Sequence, residues 1–374
     1  MRKLPISLVK PGMTIARPVY NCDGQILLHT GMHLNSRYIS RLRHLGIPAL
    51  YVEDDLLQGV EVSDVISDET RVHARRALKQ LHVEVATEVN LGHPPEINAI
   101  TTREIIDLIL SDILSDRDLV VNLTDIRSSD DYTFAHSVNV CVLSLLTGVA
   151  LGLNRHQLTS LGIGSLLHDI GKTKVPREVL NKPGRFSDYE FCEMQRHTVF
   201  GFDILRTQKE LSLSAAHVAY EHHERFNGEG YPRGLRGHKI HLFARIAGLV
   251  DVYDALISNR VYRKGYLPHE AIEMIYASGD YLFDYRIVRA FLDCIAAYPT
   301  GTVVELSDGR VAVVTGTLRG HSHRPNIRVV SFHEGAGEVV DEIKLCDHTS
   351  LIISRVISPE EFERLQGMEN VAEM

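Results

Sequence analysis

The sequence has few of the features that stabilise or anchor proteins outside the cytoplasm. Its five cysteines are an odd number, and no two of them form a CxxC pair, which predicts reduced thiols and no disulfide framework. No continuous apolar stretch follows the charges at the N-terminus, so we expect no signal peptide. The most apolar segment, residues 138–153, is short for a membrane span and contains Asn139. We therefore predict a cytoplasmic protein without a membrane segment.

Positive charge is also scarce. There are 40 Lys and Arg residues against 48 Asp and Glu residues, which gives a net charge of -8 at pH 7. This balance argues against binding along a nucleic-acid polymer. A small anionic ligand stays compatible with it, because bound metal ions can reverse the local field. The sequence has neither a P-loop nor a Gly-x-Ser-x-Gly motif, which disfavours kinases, NTPases and serine esterases.

Periodicity and turn signals divide the 374 residues into four parts. We predict a small α/β domain at 1–62, a helical connector at 63–99, a helical domain at 100–298 and a β-rich module with a terminal helix at 299–374. Asp23-Gly24 predicts a hairpin in the first part, and Ser36 is the expected cap of a helix there. The irregular heptads of the connector leave open whether it dimerises or packs on its own domain.

Two capping-box patterns predict helix starts inside the helical domain. They are Thr101-x-x-Glu104 and Ser187-x-x-Glu190. The fold class that follows is mainly α, with a small N-terminal α/β unit and a short C-terminal β module.

Histidines and aspartates are spread over the predicted helices in a pattern that suits metal binding. His168-Asp169 ends an apolar helix, where an unpaired carboxylate would be costly to bury. His222-His223 ends another amphipathic helix, and Asp251 interrupts an apolar face. Each residue alone has an ordinary alternative, such as a satisfied polar histidine or an imidazole at the negative end of a helix dipole.

Taken together with His136 and His197, these residues predict a two-metal site. The imidazole of His168 can bind one ion while the adjacent Asp169 carboxylate bridges to a second. Two metal ions about 3.5–4 Å apart can activate one water and stabilise both oxygens of an in-line phosphate displacement. A metal-dependent phosphodiester hydrolase is therefore the leading hypothesis.

The motifs resemble the HD-GYP domain, a bacterial branch of the HD phosphohydrolases. The residues that carry the resemblance, in the family's order, are Tyr132 to Ser137, His168-Asp169-Ile170-Gly171-Lys172, His197, His222-His223-Glu224-Arg225, Gly230-Tyr231-Pro232 and Asp251 to Leu256. The resemblance covers roughly residues 100–300. It implies an all-helical HD-type domain that hydrolyses cyclic di-GMP to pGpG, and in many members on to GMP, by attack of a hydroxide that bridges the metals.

Carried over position by position, the resemblance implies seven metal ligands: His136, His168, Asp169, His197, His222, His223 and Asp251. Asp169 would bridge the ions, and the division of the other ligands stays open. Asp169 and Lys172 are the implied catalytic residues. Lys172, Asp254 and Arg260 match positions that contact or orient the phosphates, and Arg263 stands where a second basic contact is often found. Gly230-Tyr231-Pro232 would shape the lip of the pocket and is linked in this family to contacts with signalling partners.

The implied cofactors are two divalent metal ions, iron or manganese first, with zinc, nickel or magnesium as alternatives. Some members hold a third ion with a glutamate four residues before the first ligand histidine; Tyr132 stands there, so we expect two. Hydrolysis of a cyclic GMP–AMP and a sensor that binds cyclic di-GMP without turnover are the alternatives. A homodimer stays open.

Overall fold

The structure, a computed structural model, describes residues 1–21, 24–60, 62, 64–115, 120–121, 132–258, 265–333 and 336–368. Within the chain two compact units can be distinguished. One comprises residues 1–64, 118–132 and 295–374, and the other comprises residues 65–117 and 133–294. The division into four parts that the sequence suggests remains a prediction.

The N-terminal part of the first unit is a small α/β arrangement. Its elements are β1 (Arg2–Pro5), β2 (Val19–Tyr20), β3 (Ile26–Leu28), α1 (Ser36–His44) and β4 (Ala49–Val52). β1 pairs with β4 and β2 with β3, both antiparallel. Asp23 of the predicted hairpin turn lies outside the described residues. Asn35, and not the predicted Ser36, caps α1, since its side chain accepts a hydrogen bond from the Tyr38 N–H over 2.9 Å.

The second unit is helical throughout its named elements. These are α2 (Asp68–Asn90), α3 (Ala99–Ser115), α4 (Tyr132–Ala150), α5 (Arg155–Leu166), α6 (Arg177–Leu180), α7 (Asp188–Gln195), α8 (His197–Arg206), α9 (Leu213–Glu221), α10 (Leu242–Ile257), α11 (Pro268–Ala277) and α12 (Tyr285–Leu292). The capping box of Ser187 and Glu190 at α7 is confirmed. The one at Thr101 is wrong, because Asn98 accepts a hydrogen bond from the Thr101 N–H and α3 already begins at Ala99.

α4 is the most apolar of these helices. Among the described residues, Thr133–Ala150 is the one helical stretch that is long and apolar enough to cross a membrane by length and composition. Within that stretch 78% of the residues are buried inside the protein. Packing in the core of the helical unit therefore accounts for its apolar character.

The C-terminal part of the first unit is an antiparallel sheet. Its elements are β5 (Val303–Leu306), β6 (Val311–Gly316), β7 (Asn326–His333), β8 (Ala336–Lys344), β9 (Ile353–Ile357) and α13 (Pro359–Met368). The strand order is β8-β7-β6-β5-β9. Val303, Val330 and Phe362 share a core with Leu56 and Leu57 of the N-terminal part. The predicted fold class, mainly α with a small C-terminal β module, is confirmed.

Candidate metal centre

The fold brings the seven predicted metal ligands together. His136 lies on α4, His168 and Asp169 follow α5, His197 begins α8, His222 and His223 follow α9, and Asp251 lies on α10. In each of three overlapping groups the ligand atoms lie within 4.8 Å of one another: His136, His168 and Asp251; His168, Asp169 and His222; and His197, His222 and His223. Five chain segments that are distant in sequence thus converge on one centre.

Two glycines permit this convergence. A Cβ atom on Gly171 would lie 1.9 Å from the His197 carbonyl oxygen and 2.4 Å from the Gly201 nitrogen. A Cβ atom on Gly248 would lie 2.3 Å from the His222 carbonyl oxygen. Backbones that approach this closely leave no room for a side chain. The glycines therefore set the distance between the segments that carry the ligands.

One half of the centre is built around His136. Its Nε2 atom lies 3.1 Å from Asp251 Oδ1, and its Nδ1 atom lies 2.7 Å from Asp254 Oδ2. Burial alone would lower the pKa of His136, but the hydrogen bonds and charges of Asp251 and Asp254 raise it to about 10. In the metal-free protein this imidazole is therefore a cation between two carboxylates.

Asp254, predicted to contact or orient the phosphates, lies against His136 in the structure. Its side chain is fully buried, and besides His136 it accepts a hydrogen bond from Asn139 Nδ2 over 3.3 Å. A carboxylate that binds the Nδ1–H of a histidine orients the ring and leaves Nε2 for a metal. This geometry favours an orienting role for Asp254 over the predicted contact with substrate.

Asp169 lies where the two halves of the centre meet. Its Oδ2 atom is 3.4 Å from His168 Nε2, while its Oδ1 atom is 3.5 Å from His197 Nε2. Lys172 donates to Oδ2 over 2.5 Å. Burial would raise the pKa of Asp169, but the charges of Lys172, His168 and His197 outweigh it and hold the pKa well below its usual range. An ionised carboxylate with its two oxygens facing different histidines suits a bridging ligand.

His168, His197 and His222 direct Nδ1 to backbone carbonyl oxygens, which leaves their Nε2 atoms for a metal ion. The Nδ1 atoms of His168 and His197 lie 2.8 Å from the Ser165 carbonyl oxygen and 2.6 Å from that of Met194, so each donates its N–H there. Burial lowers the pKa of His222, and burial lowers that of His223 to about 3. Neutral imidazoles present a free lone pair.

One buried atom supports the fit to a metal ion. Among the described residues, His168 Nε2 makes no hydrogen bond although it is shielded from solvent, and it faces Asp169 Oδ2 over 3.4 Å. An unpaired buried polar atom is costly, and a ligated cation removes that cost. The donor set of imidazoles and carboxylates suits a divalent transition metal.

The loop with Gly230-Tyr231-Pro232 packs against the ligands. The Tyr231 ring centroid lies 4.7 Å from that of His223. A Cβ atom on Gly230 would lie 2.3 Å from the Arg225 nitrogen, so this position accepts no side chain. Arg260 and Arg263, the other predicted phosphate contacts, lie outside the described residues, as does the side chain of Tyr132.

Two residues that the sequence did not indicate also face this region, and both lie on α2. Arg71 NH1 donates to Asn139 Oδ1 over 3.0 Å. His82 packs its ring edge-on against Phe134, with centroids 5.3 Å apart, and its Nε2 atom is buried without a partner among the described residues. Burial lowers the pKa of His82 to about 4. Arg71 and His82 are eleven positions apart, which is about three helical turns, so they lie on the same face of α2. This spacing is the feature of the sequence from which their shared position could have been predicted.

Comparison with known proteins agrees with the motifs and the geometry. Residues 109–287 match the family model described as an HD domain. A cyclic di-GMP phosphodiesterase of Pseudomonas aeruginosa, PA4108, is 39% identical over 211 residues, which are 56% of this chain and 51% of that protein. The chain contains an HD domain, and the HD-GYP motifs lie within it. Residues 303–365, which form the C-terminal sheet and most of α13, match a KOW domain associated with HD domains.

Other relatives of this chain differ in the substrate that their names state. The cyclic di-GMP phosphodiesterase response regulator RpfG of Xanthomonas campestris pv. campestris is 39% identical over 148 residues, 39% of each chain. The 3'3'-cGAMP-specific phosphodiesterase 1 of Vibrio cholerae serotype O1 is 38% identical over 154 residues, 41% of this chain and 35% of that protein. The chain thus spans about half of the length of PA4108, and less of the other two.

Proposed function

We propose that this protein is a metal-dependent phosphodiesterase that hydrolyses cyclic di-GMP to pGpG, with further hydrolysis to GMP as the alternative outcome. The observation that carries the proposal is the position of Asp169, whose two carboxylate oxygens face histidines of different ligand groups. The match to the HD domain model and the relatives named cyclic di-GMP phosphodiesterases support it.

Two divalent ions are the proposed cofactors, with iron or manganese as the first candidates. One ion would be held by His136, His168 and Asp251, the other by His197, His222 and His223, and Asp169 would contribute to both. When bound, such a pair supplies an activated water and neutralises charge on the phosphate oxygens. This division follows the two ligand groups that share no residue.

Lys172 is the proposed catalytic cation of the chain itself. Its ammonium lies 2.5 Å from Asp169 Oδ2 and is about one-third exposed, so it borders both the ligands and the solvent side of the centre. A cation in this position stabilises negative charge that develops on a phosphoryl oxygen. Arg260 and Arg263 stay proposed phosphate contacts on the motif match alone.

The second candidate substrate is a cyclic GMP–AMP. The observation consistent with it is the similarity to the cGAMP-specific enzyme of Vibrio cholerae, which is nearly as close in identity as RpfG. Neither the sequence motifs nor the residues that the structure describes show a base-reading contact that separates the two nucleotides. A non-catalytic sensor is the third candidate, and the full set of seven ligands argues against it.

The deciding experiment uses the protein purified without oxygen in the presence of iron or manganese. Metal per chain is measured first, and the protein is then incubated separately with cyclic di-GMP and with 3'3'-cGAMP. Chromatography should show pGpG or GMP, with faster turnover of cyclic di-GMP. Asp169→Asn, which keeps the side-chain size, is the matched inactive control.

The outcomes separate the candidates. Faster turnover of 3'3'-cGAMP would replace the substrate, and nucleotide binding without product at two metals per chain would leave a sensor. We also propose a cytoplasmic location, in keeping with Cys141, Cys192, Cys294 and Cys346, none of which forms a disulfide among the described residues. The partly exposed Tyr231 and Pro232 are the proposed contact for a signalling partner.

A further inference from the structure

A buried chain of hydrogen bonds runs from α2 to a metal ligand. Arg71 NH1 donates to Asn139 Oδ1 over 3.0 Å, and Asn139 Nδ2 donates to Asp254 Oδ1 over 3.3 Å. Asp254 Oδ2 in turn lies 2.7 Å from His136 Nδ1. All four residues are buried: the exposed fraction is 9% for Arg71, 2% for Asn139, 0% for Asp254 and 6% for His136. Water has little access to any link.

The chemistry of Arg71 determines which group donates and which accepts in each of these hydrogen bonds. A guanidinium has only donors, so the Asn139 atom that faces Arg71 must be the amide oxygen. The amide nitrogen then faces Asp254, which accepts from Asn139 with one oxygen and from His136 with the other. With the proton of His136 held on Nδ1, Nε2 is the atom left for a metal ion.

We propose that Arg71 is a positioning residue of the metal centre, which fixes the orientation of His136 through Asn139 and Asp254. The residue lies on α2, outside the segment 109–287 that matches the HD domain. The inference rests on the proposed metal centre but not on the identity of the nucleotide. It makes α2 part of the site, whereas the sequence left this helix a dimerisation element or a connector.

The environment around Arg71 supports a specific role. Burying a guanidinium is costly unless it is hydrogen-bonded, and its bond to Asn139 is directed at the ligand side of the unit. His82, on the same face of α2, is buried next to the charges of Asp169, His168 and Lys172. α2 also packs against the turn Ile170–Lys174, which carries Lys172. One face of this helix therefore borders both sides of the centre.

The test measures metal affinity in the absence of nucleotide, by competition with a chelator. Arg71→Met removes the donor and keeps the length of the side chain, and Arg71→Lys restores a donor. Arg76→Met removes an exposed arginine of the same helix and serves as the matched control. We expect Arg71→Met to weaken the binding of one of the two ions by about 10–100-fold. Arg71→Lys should recover most of the loss, and Arg76→Met should bind both ions like the wild type.

A second variant tests the route and guards against misfolding. Asn139→Ala interrupts the chain while Arg71 stays in place, and it should weaken the same ion. Because both residues act through Asp254, the double variant should lose no more affinity than the weaker-binding single variant. Thermal unfolding with excess metal checks that each variant folds.

The inference is overturned if Arg71→Met binds both ions as tightly as the wild type, or if the losses in the double variant simply add. It is equally overturned if Arg71→Lys fails to recover binding although it folds. A wild-type protein that binds two ions but hydrolyses no cyclic dinucleotide would refute the proposed function and leave this inference standing.

Discussion

Glu224 Oε2 accepts a hydrogen bond from the backbone N–H of Leu235 over 2.8 Å. Glu224 Oε1 accepts a second one from the Arg233 N–H, also over 2.8 Å. Glu224 directly follows the ligand His223, and its buried carboxylate thus ties the loop with Gly230-Tyr231-Pro232 to the end of α9. Since Tyr231 lies against the His223 ring, loop and ligand hold each other in place.

Glu224→Gln should loosen this loop. Glutamine keeps one oxygen but turns an NH2 group toward a backbone N–H, which leaves a buried donor unpaired at a cost of about 1–3 kcal/mol. We expect faster amide hydrogen exchange over residues 228–236 and weaker binding of the ion held by His223. Glu229→Gln, an exposed carboxylate of the same loop, is the control and should exchange like the wild type. Equal protection in both variants would contradict the coupling.

Gly171→Ala should displace His197. The added methyl group would lie 1.9 Å from the His197 carbonyl oxygen, closer than any real contact, so α8 must move. We expect a loss of at least one metal ion per chain and a lower midpoint of thermal unfolding, since overpacking costs about 1–3 kcal/mol or more. Gly316→Ala in β6 has open space around its Cβ atom and should leave metal content unchanged. Full metal occupancy in Gly171→Ala would show that the two segments are less tightly packed than the distances state.

The sequence was sufficient to predict the helical character of the domain and the candidate ligands. His168, Asp169, His222 and Asp251 interrupt apolar helix patterns, and polar groups at such positions are rarely buried without a partner. The order of the motifs then supplied the resemblance to a family. The structure adds which of the seven residues lie within 4.8 Å of one another, a matter of three-dimensional packing that spacing along the chain does not encode.

Other features depended on partners far away in the sequence. Arg71 and Asn139 are 68 positions apart, and nothing in the local pattern of either marks the bond between them. Asp254 matched a substrate-contact position by motif, but its burial against His136 appears only once α4 and α10 are packed together. Two predicted helix caps were wrong for a simpler reason. The side-chain oxygens of Asn35 and Asn98 were better placed to accept a backbone hydrogen bond than those of Ser36 and Thr101.

Metal binding at pH 7 should release a proton from His136. Its pKa in the metal-free protein is raised to about 10 by Asp251 and Asp254, so the ring is protonated until a metal ion takes its Nε2 atom. Metal affinity should therefore rise with pH up to about 10. Calorimetry in buffers of different ionisation enthalpy measures the proton count, which should fall in His136→Gln. His223→Gln is the control, because His223 with a pKa of about 3 is already neutral.

The raised pKa of His136 also predicts how the stability of the metal-free protein changes with pH. A pKa raised from 6.5 to about 10 in the folded state stabilises the fold fully below pH 6.5, and the contribution is lost as the pH rises through 10. The free energy of unfolding, measured with denaturant and a chelator, should fall across this range. His136→Gln should flatten the fall; an unchanged slope would mean that another group titrates there.

Lys172→Met should separate metal binding from catalysis. The ammonium lies 2.5 Å from Asp169 Oδ2 and contributes to the low pKa of that carboxyl, but two divalent ions would hold Asp169 ionised without it. We therefore expect two ions per chain to be retained. The kcat for cyclic di-GMP should fall about 10²-fold, because one preorganised charge at the phosphoryl oxygens is lost. Lys174→Met, an exposed lysine of the same turn, should keep full activity. If Lys172→Met lost the metals, the lysine would act by holding the site together; if it stayed fully active, the cation would have no part in the reaction.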